Sequence, residues 1–78
     1  MNMNEGDEVE NIKMNILHIP EKRGRKGHPK ITVTTMEMFD GYEVQAYCEY
    51  GLVRKRSLNQ LAAMNYVLKG LFDILENK

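Results

Sequence analysis

Apolar and polar positions alternate along the first half of the chain, and the period then changes. Ile12, Met14 and Ile16 alternate with Lys13 and Asn15, the two-residue period of a strand with one buried face. The alternation fails at Leu17 and Ile19, and Val9, Ile12, Ile16 and Ile19 also fit helical spacing. The period favours a strand over 11–19, ended by Pro20. Residues 20–30, PEKRGRKGHPK, combine Gly24, Gly27, Pro29 and dense charge, which predicts a loop. Residues 31–39, ITVTTMEMF, are rich in β-branched side chains and predict a strand. Asp40-Gly41 is a two-residue hairpin signal, and YEVQAYCEY after it alternates cleanly. A turn at Asp40-Gly41 predicts that Phe39 faces Tyr42, Glu37 faces Val44, Thr35 faces Ala46, Val33 faces Cys48 and Ile31 faces Tyr50. Opposed residues share a face, so the apolar side chains collect on one side, with Glu37 the misfit. The other side carries Thr32, Thr34, Met36, Met38, Glu43, Gln45, Tyr47 and Glu49.

From Ser57 the period becomes helical. Ser57 is a good N-cap, and the spacing predicts a helix over 57–76. Leu61, Ala63, Met64, Val67, Leu68, Leu71, Phe72, Ile74 and Leu75 fall within half of the wheel. Gly70 reads as a polar-side residue that weakens the helix by ~1 kcal/mol relative to Ala. The apolar half is broader than the stripe one helix needs on a small sheet, so the surplus covers sheet edges or buries a partner. The expected fold is α+β: a three-stranded antiparallel meander followed by one C-terminal amphipathic helix packed on one face, in the order β-β-β-α. Residues 1–10 read as an acidic, disordered tail and residues 11–78 as a single domain.

Composition narrows the class. The chain has 78 residues, 42% hydrophobic and 28% charged, too apolar for a disordered chain. The single cysteine cannot form an internal disulfide, so a disulfide-stapled secreted fold is excluded. No apolar run approaches the roughly 18 residues of a membrane span. MNMNEGDEVE is acidic and lacks the apolar stretch of a signal peptide, so the expected location is cytoplasmic.

Charge is balanced in total, with 11 basic and 11 acidic residues, but not along the chain. Residues 1–11 carry Glu5, Asp7, Glu8 and Glu10 and no basic residue. Lys22, Arg23, Arg25, Lys26 and Lys30 lie in one stretch, and Arg54, Lys55 and Arg56 in another. Two such clusters, brought side by side, form a phosphate-binding footprint; left apart, they are solvated loops.

Two short stretches resemble the double-stranded RNA-binding domain. One is Gly27-His28-Pro29-Lys30, in the position of that family's loop between its first two strands. The other is Lys55-Arg56-Ser57-Leu58-Asn59-Gln60-Leu61-Ala62-Ala63, similar to the start of its last helix. Leu58 replaces an alanine of the family pattern, Asn59 replaces a lysine, and the family's first helix has no counterpart. The resemblance implies a β-β-β-α core and binding of structured or double-stranded RNA. Lys55 and Arg56 would then act at a helix N-terminus. Lys22, Arg23, Arg25, Lys26, His28, Lys30 and Arg54 would supply the remaining contacts, giving salt-dependent, shape-based recognition.

Catalytic chemistry is weakly signalled. His18, His28 and Cys48 lack metal-ligand spacing, and no nucleophile motif or carboxylate pair appears, so neither an enzyme nor a bound cofactor is expected. Cys48 reads as a small core residue. The alternative to nucleic-acid binding is a small homodimeric protein-interaction module, such as a phage- or virus-type inhibitor of a host factor. Its support is the broad helix face, with Val67, Leu71 and Ile74 as candidate dimer residues, and a Met36–Met38–Tyr47 patch.

Overall fold

In the computed structural model, which describes residues 13–77, four strands precede one helix. They are β1 (Lys13–Ile19), β2 (Ile31–Met38), β3 (Gly41–Cys48), β4 (Gly51–Ser57) and α1 (Gln60–Glu76). The strands form one antiparallel sheet in the order β1-β2-β3-β4. The class is α+β, but the meander has four strands rather than the three expected. The extra strand is GLVRKRS, which holds the Arg54–Arg56 cluster that the sequence reading sets at the start of the helix. The tail expected over 1–10 and the first two residues of the strand expected over 11–19 lie outside the described residues.

The hairpin between β2 and β3 keeps its predicted faces and changes its register. Met38 pairs with Gly41, Thr35 with Val44 and Val33 with Ala46. The turn residues are therefore Phe39 and Asp40, one step earlier than predicted. Each pair moves by two residues, and an even shift leaves every side chain on its own face. Ile31, Val33, Thr35, Val44 and Ala46 are buried as the alternation requires. Gly41 accounts for the choice of turn. Its φ is +140°, and a Cβ there would lie 2.9 Å from the Ser57 carbonyl oxygen of β4. Glycine is needed where the chain closes the turn, not inside it.

Ser57 ends β4 instead of capping the helix. Its Oγ accepts a hydrogen bond from the Asn59 N–H at 3.0 Å, and Asn59 is the cap, its Oδ1 accepting from the Ala62 N–H at 3.0 Å. The helix lies over β3 and β4, and its backbone approaches neither β1 nor β2. Ala63, Val67 and Leu71 are fully buried against the sheet, with Met64, Leu68, Ile74 and Leu75 packed around them. Val67 and Leu71 are therefore core residues, not the dimer surface expected for them, and Ile74 packs over Gly51. Gly70 faces β4 rather than solvent: a Cβ there would come 3.1 Å from Val53 Cγ1, so the missing side chain sets how closely helix and strand approach.

One helix does not cover four strands. Strands ~4.8 Å apart make the sheet ~14 Å wide between its outer axes, and a helix with side chains spans ~10 Å. Among the described residues, the part left uncovered is β1. Met14, Ile16 and Leu17 are 56%, 57% and 53% exposed although they project from both faces.

Candidate functional site

The antiparallel order defines two ends of the sheet. At one, the loop end, β1 stops at Ile19, β2 begins at Ile31, and β3 turns into β4 after Cys48. At the other lie Lys13, the Phe39-Asp40 turn, Ser57 and the start of α1.

Lys22, Arg23, Arg25, Lys26, His28 and Lys30 all belong to the loop end. Residues 22–28 close a miniature hairpin. The Lys22 N–H donates to the His28 carbonyl at 2.9 Å, and the His28 N–H donates back to the Lys22 carbonyl at 2.8 Å. Its tip is tightened by the Gly27 N–H donating to the Gly24 carbonyl at 3.0 Å, with Gly24 at φ +97° and Lys26 at φ +60°. The hairpin rests on the end of the helix through the His28 ring, edge-on to Phe72 with ring centres 5.6 Å apart. The His28 Nδ1 is 2.8 Å from the Pro29 carbonyl oxygen, which fixes the ring's orientation. Arg23 pairs with Glu21 at 3.2 Å. Among the described residues, Lys22, Arg25, Lys26 and Lys30 have no ion-pair partner.

A Cβ on Gly27 would overlap the Lys22 carbonyl oxygen that the His28 N–H uses. Gly27→Ala is therefore expected to open the miniature hairpin, costing about 1–3 kcal/mol. Hydrogen exchange checks this: the Lys22 and His28 amides should lose protection while those of β2 and β3 keep it.

The second cluster is not at a helix N-terminus. Arg54, Lys55 and Arg56 are strand residues of β4, opposite Gln45, Val44 and Glu43. Alternation sends Arg54 and Arg56 to the face away from the helix and Lys55 to the helix side. Lys55 Nζ lies 4.7 Å from the centre of the Tyr66 ring. Arg54 Nε is 3.8 Å from a Glu43 carboxylate oxygen and Arg56 Nε 3.7 Å from the other, while Arg56 also reaches Asp40 at 3.9 Å. Glu43 thus neutralises much of the charge that was to meet phosphate.

The two clusters do not lie side by side. Arg56 is level with Met36 and Met14, six residues along from Lys30, which is ~20 Å at the rise of a strand, and it is two strands across. The cleft between the loop and the sheet end does not replace that footprint. Its wall sets Lys22 and Lys30 against Glu21 and Glu49, beside His28 and Tyr50. Glu49 holds the Tyr50 phenol above its usual pKa by hydrogen bonding and by its charge.

Among the described residues, no element covers the sheet face opposite the helix. Met14, Ile16 and His18 of β1 lie beside Met36, Thr34 and Thr32 of β2, followed by Glu43, Gln45 and Tyr47, then Arg56, Arg54 and Leu52. Met36, Met38 and Tyr47 share this face as expected, and β1 and Leu52 extend it. Cys48 packs at the margin of the core. Among the described residues no three His, Cys, Asp or Glu side chains form a group able to hold a metal ion. No helix there is long and apolar enough to cross a membrane.

No family model, curated protein or solved structure matches the chain. The likeness to the double-stranded RNA-binding domain rests on the two short stretches alone. The second of these is split between β4 and the first turn of α1.

Proposed function

We propose that the chain is a small homodimeric protein-interaction module. The observation that carries this reading is β1: a seven-residue edge strand in which Met14, Ile16 and Leu17, three of its four large apolar side chains, are more than half exposed on both faces. Edge strands that stay solitary are blunted by charge, proline or a bulge. The other edge, β4, has three consecutive cations at 54–56, whereas residues 14–18 of β1, Met-Asn-Ile-Leu-His, include no Asp, Glu, Lys or Arg. Sedimentation equilibrium tests the reading. A mass near twice the 9.1 kDa of one chain supports it, and a single-chain mass up to about millimolar concentration refutes it.

A nucleic-acid reading keeps one favourable observation, the four cations of 22–30 without partners among the described residues. It reduces to phosphate contact from one cluster, with a salt slope of about four and little sequence preference. A mobility shift on a short RNA duplex at two salt concentrations tests it: reversal of Arg25 and Lys26 should abolish the shift, and reversal of Arg54 and Arg56 should leave it nearly unchanged.

A further inference from the structure

Building on the homodimer reading, we propose that two copies pair antiparallel along β1, about a two-fold axis at Ile16. The acidic residues 5–10 of each copy then meet the basic hairpin of the other. The occupant of the β1 edge is thus a second copy of this chain.

Three observations carry the geometry. The first is chemical. Residues 14–18 carry no formal charge, and the strand's outer N–H and C=O groups face away from β2, so a second strand can add without burying an ion. The second is symmetry. A closed antiparallel pair has its axis normal to the sheet, and opposed residues share a face. The register that pairs all seven residues of Lys13–Ile19 with their copies puts Ile16 against the partner's Ile16, Met14 against the partner's His18, and Leu17 against the partner's Asn15. Ile16 and Met14 lose solvent exposure on the open face and Leu17 on the helix side.

The third observation is charge. In an antiparallel pair, Lys13 of one copy lies beside Ile19 of the other. The chain immediately before Lys13 holds Glu5, Asp7, Glu8 and Glu10, and the chain soon after Ile19 holds Lys22, Arg23, Arg25, Lys26 and Lys30. In the proposed pair the segment that leads into Lys13 of one copy joins β1 at the end where the other copy's hairpin begins, twice per dimer. Parallel pairing would set acid beside acid and base beside base. Within one copy Lys13, the residue at which that segment joins β1, lies the length of the strand, ~20 Å, from Ile19, after which the hairpin begins. The four cations without partners among the described residues therefore gain opposite charges from the second copy.

Disulfide trapping tests the register in the full chain, with Cys48→Ala as background. Opposed Cα atoms in an antiparallel pair are ~4.5–5.5 Å apart, within disulfide range. Ile16→Cys should oxidise to a covalent dimer. Met14→Cys should not, since the two copies of that position lie ~13 Å apart. Neutralising the tail (Glu5→Gln, Asp7→Asn, Glu8→Gln, Glu10→Gln) should weaken dimerisation about tenfold and remove most of its salt dependence. A dimer in which Ile16→Cys fails to cross-link, or Met14→Cys cross-links equally well, overturns this arrangement while leaving the homodimer reading standing. A tail-neutralised dimer of unchanged affinity overturns the charge pairing. A wild-type monomer removes both the arrangement and the homodimer reading. A short RNA duplex that binds the hairpin without altering the dimer constant assigns those cations to nucleic acid and overturns the charge pairing as well.

Discussion

Leu71→Ala is expected to destabilise the domain by about 2–5 kcal/mol, read as a fall in the urea midpoint. Leu71 is fully buried between the helix and the strands, among Val67, Ala63, Val44 and Ala46. A domain of this length has a stability of roughly 4–12 kcal/mol, so the loss is a large fraction of the total. The same change at Leu61, which is mostly exposed near the start of the helix, should cost well under 1 kcal/mol. The pair separates two roles for the helix. If Leu71 belonged to an interface, truncation would shift oligomeric state and leave the single chain folded; as a core residue it lowers the stability of the chain itself.

Gly41→Val is expected to cost about 2–3 kcal/mol, for reasons of backbone alone. A valine cannot hold φ +140° without strain, and its Cβ would press on the Ser57 carbonyl at 2.9 Å. Ser57 is the last residue of β4 and its Oγ accepts from the Asn59 N–H, so the displacement passes directly to the helix cap. Thermal unfolding with Asp40→Ala as control checks the assignment. The control changes the turn without touching the glycine position and should shift the midpoint by little.

The central hairpin was legible because its alternation is strict and its face is set by parity. A turn placed one residue late still put Val33, Thr35, Val44 and Ala46 inside. The position of the turn is ambiguous in sequence because Asp-Gly suits two geometries: both residues inside a tight turn, or the glycine closing a turn made by the two residues before it. Sequence alone does not reveal the Ser57 carbonyl that selects the second.

The fourth strand is hidden in the sequence for a physical reason. An edge strand at the margin of the helix has no continuous apolar face. Arg54 and Arg56 stand on the open side, and Lys55, on the covered side, projects to Tyr66 rather than into the core. Three adjacent cations therefore read as a turn. The helix arc was found, but only its direction toward β3 and β4 is buried. Leu61 and Phe72 are the surplus that periodicity could count and not assign. The two basic clusters were visible as composition. Their separation depends on strand order, and an unrecognised strand reverses the end at which the helix begins.

The account depends on β1 being an edge that a second copy covers. Amide hydrogen exchange measured against protein concentration tests this most directly. Alternate amides of β1 point away from β2, as alternate amides of β4 point away from β3. The account predicts that the outward amides of β1 become protected as concentration rises and lose protection on dilution, while those of β4 exchange rapidly throughout. Outward β1 amides that exchange as fast as those of β4 at every concentration would contradict it.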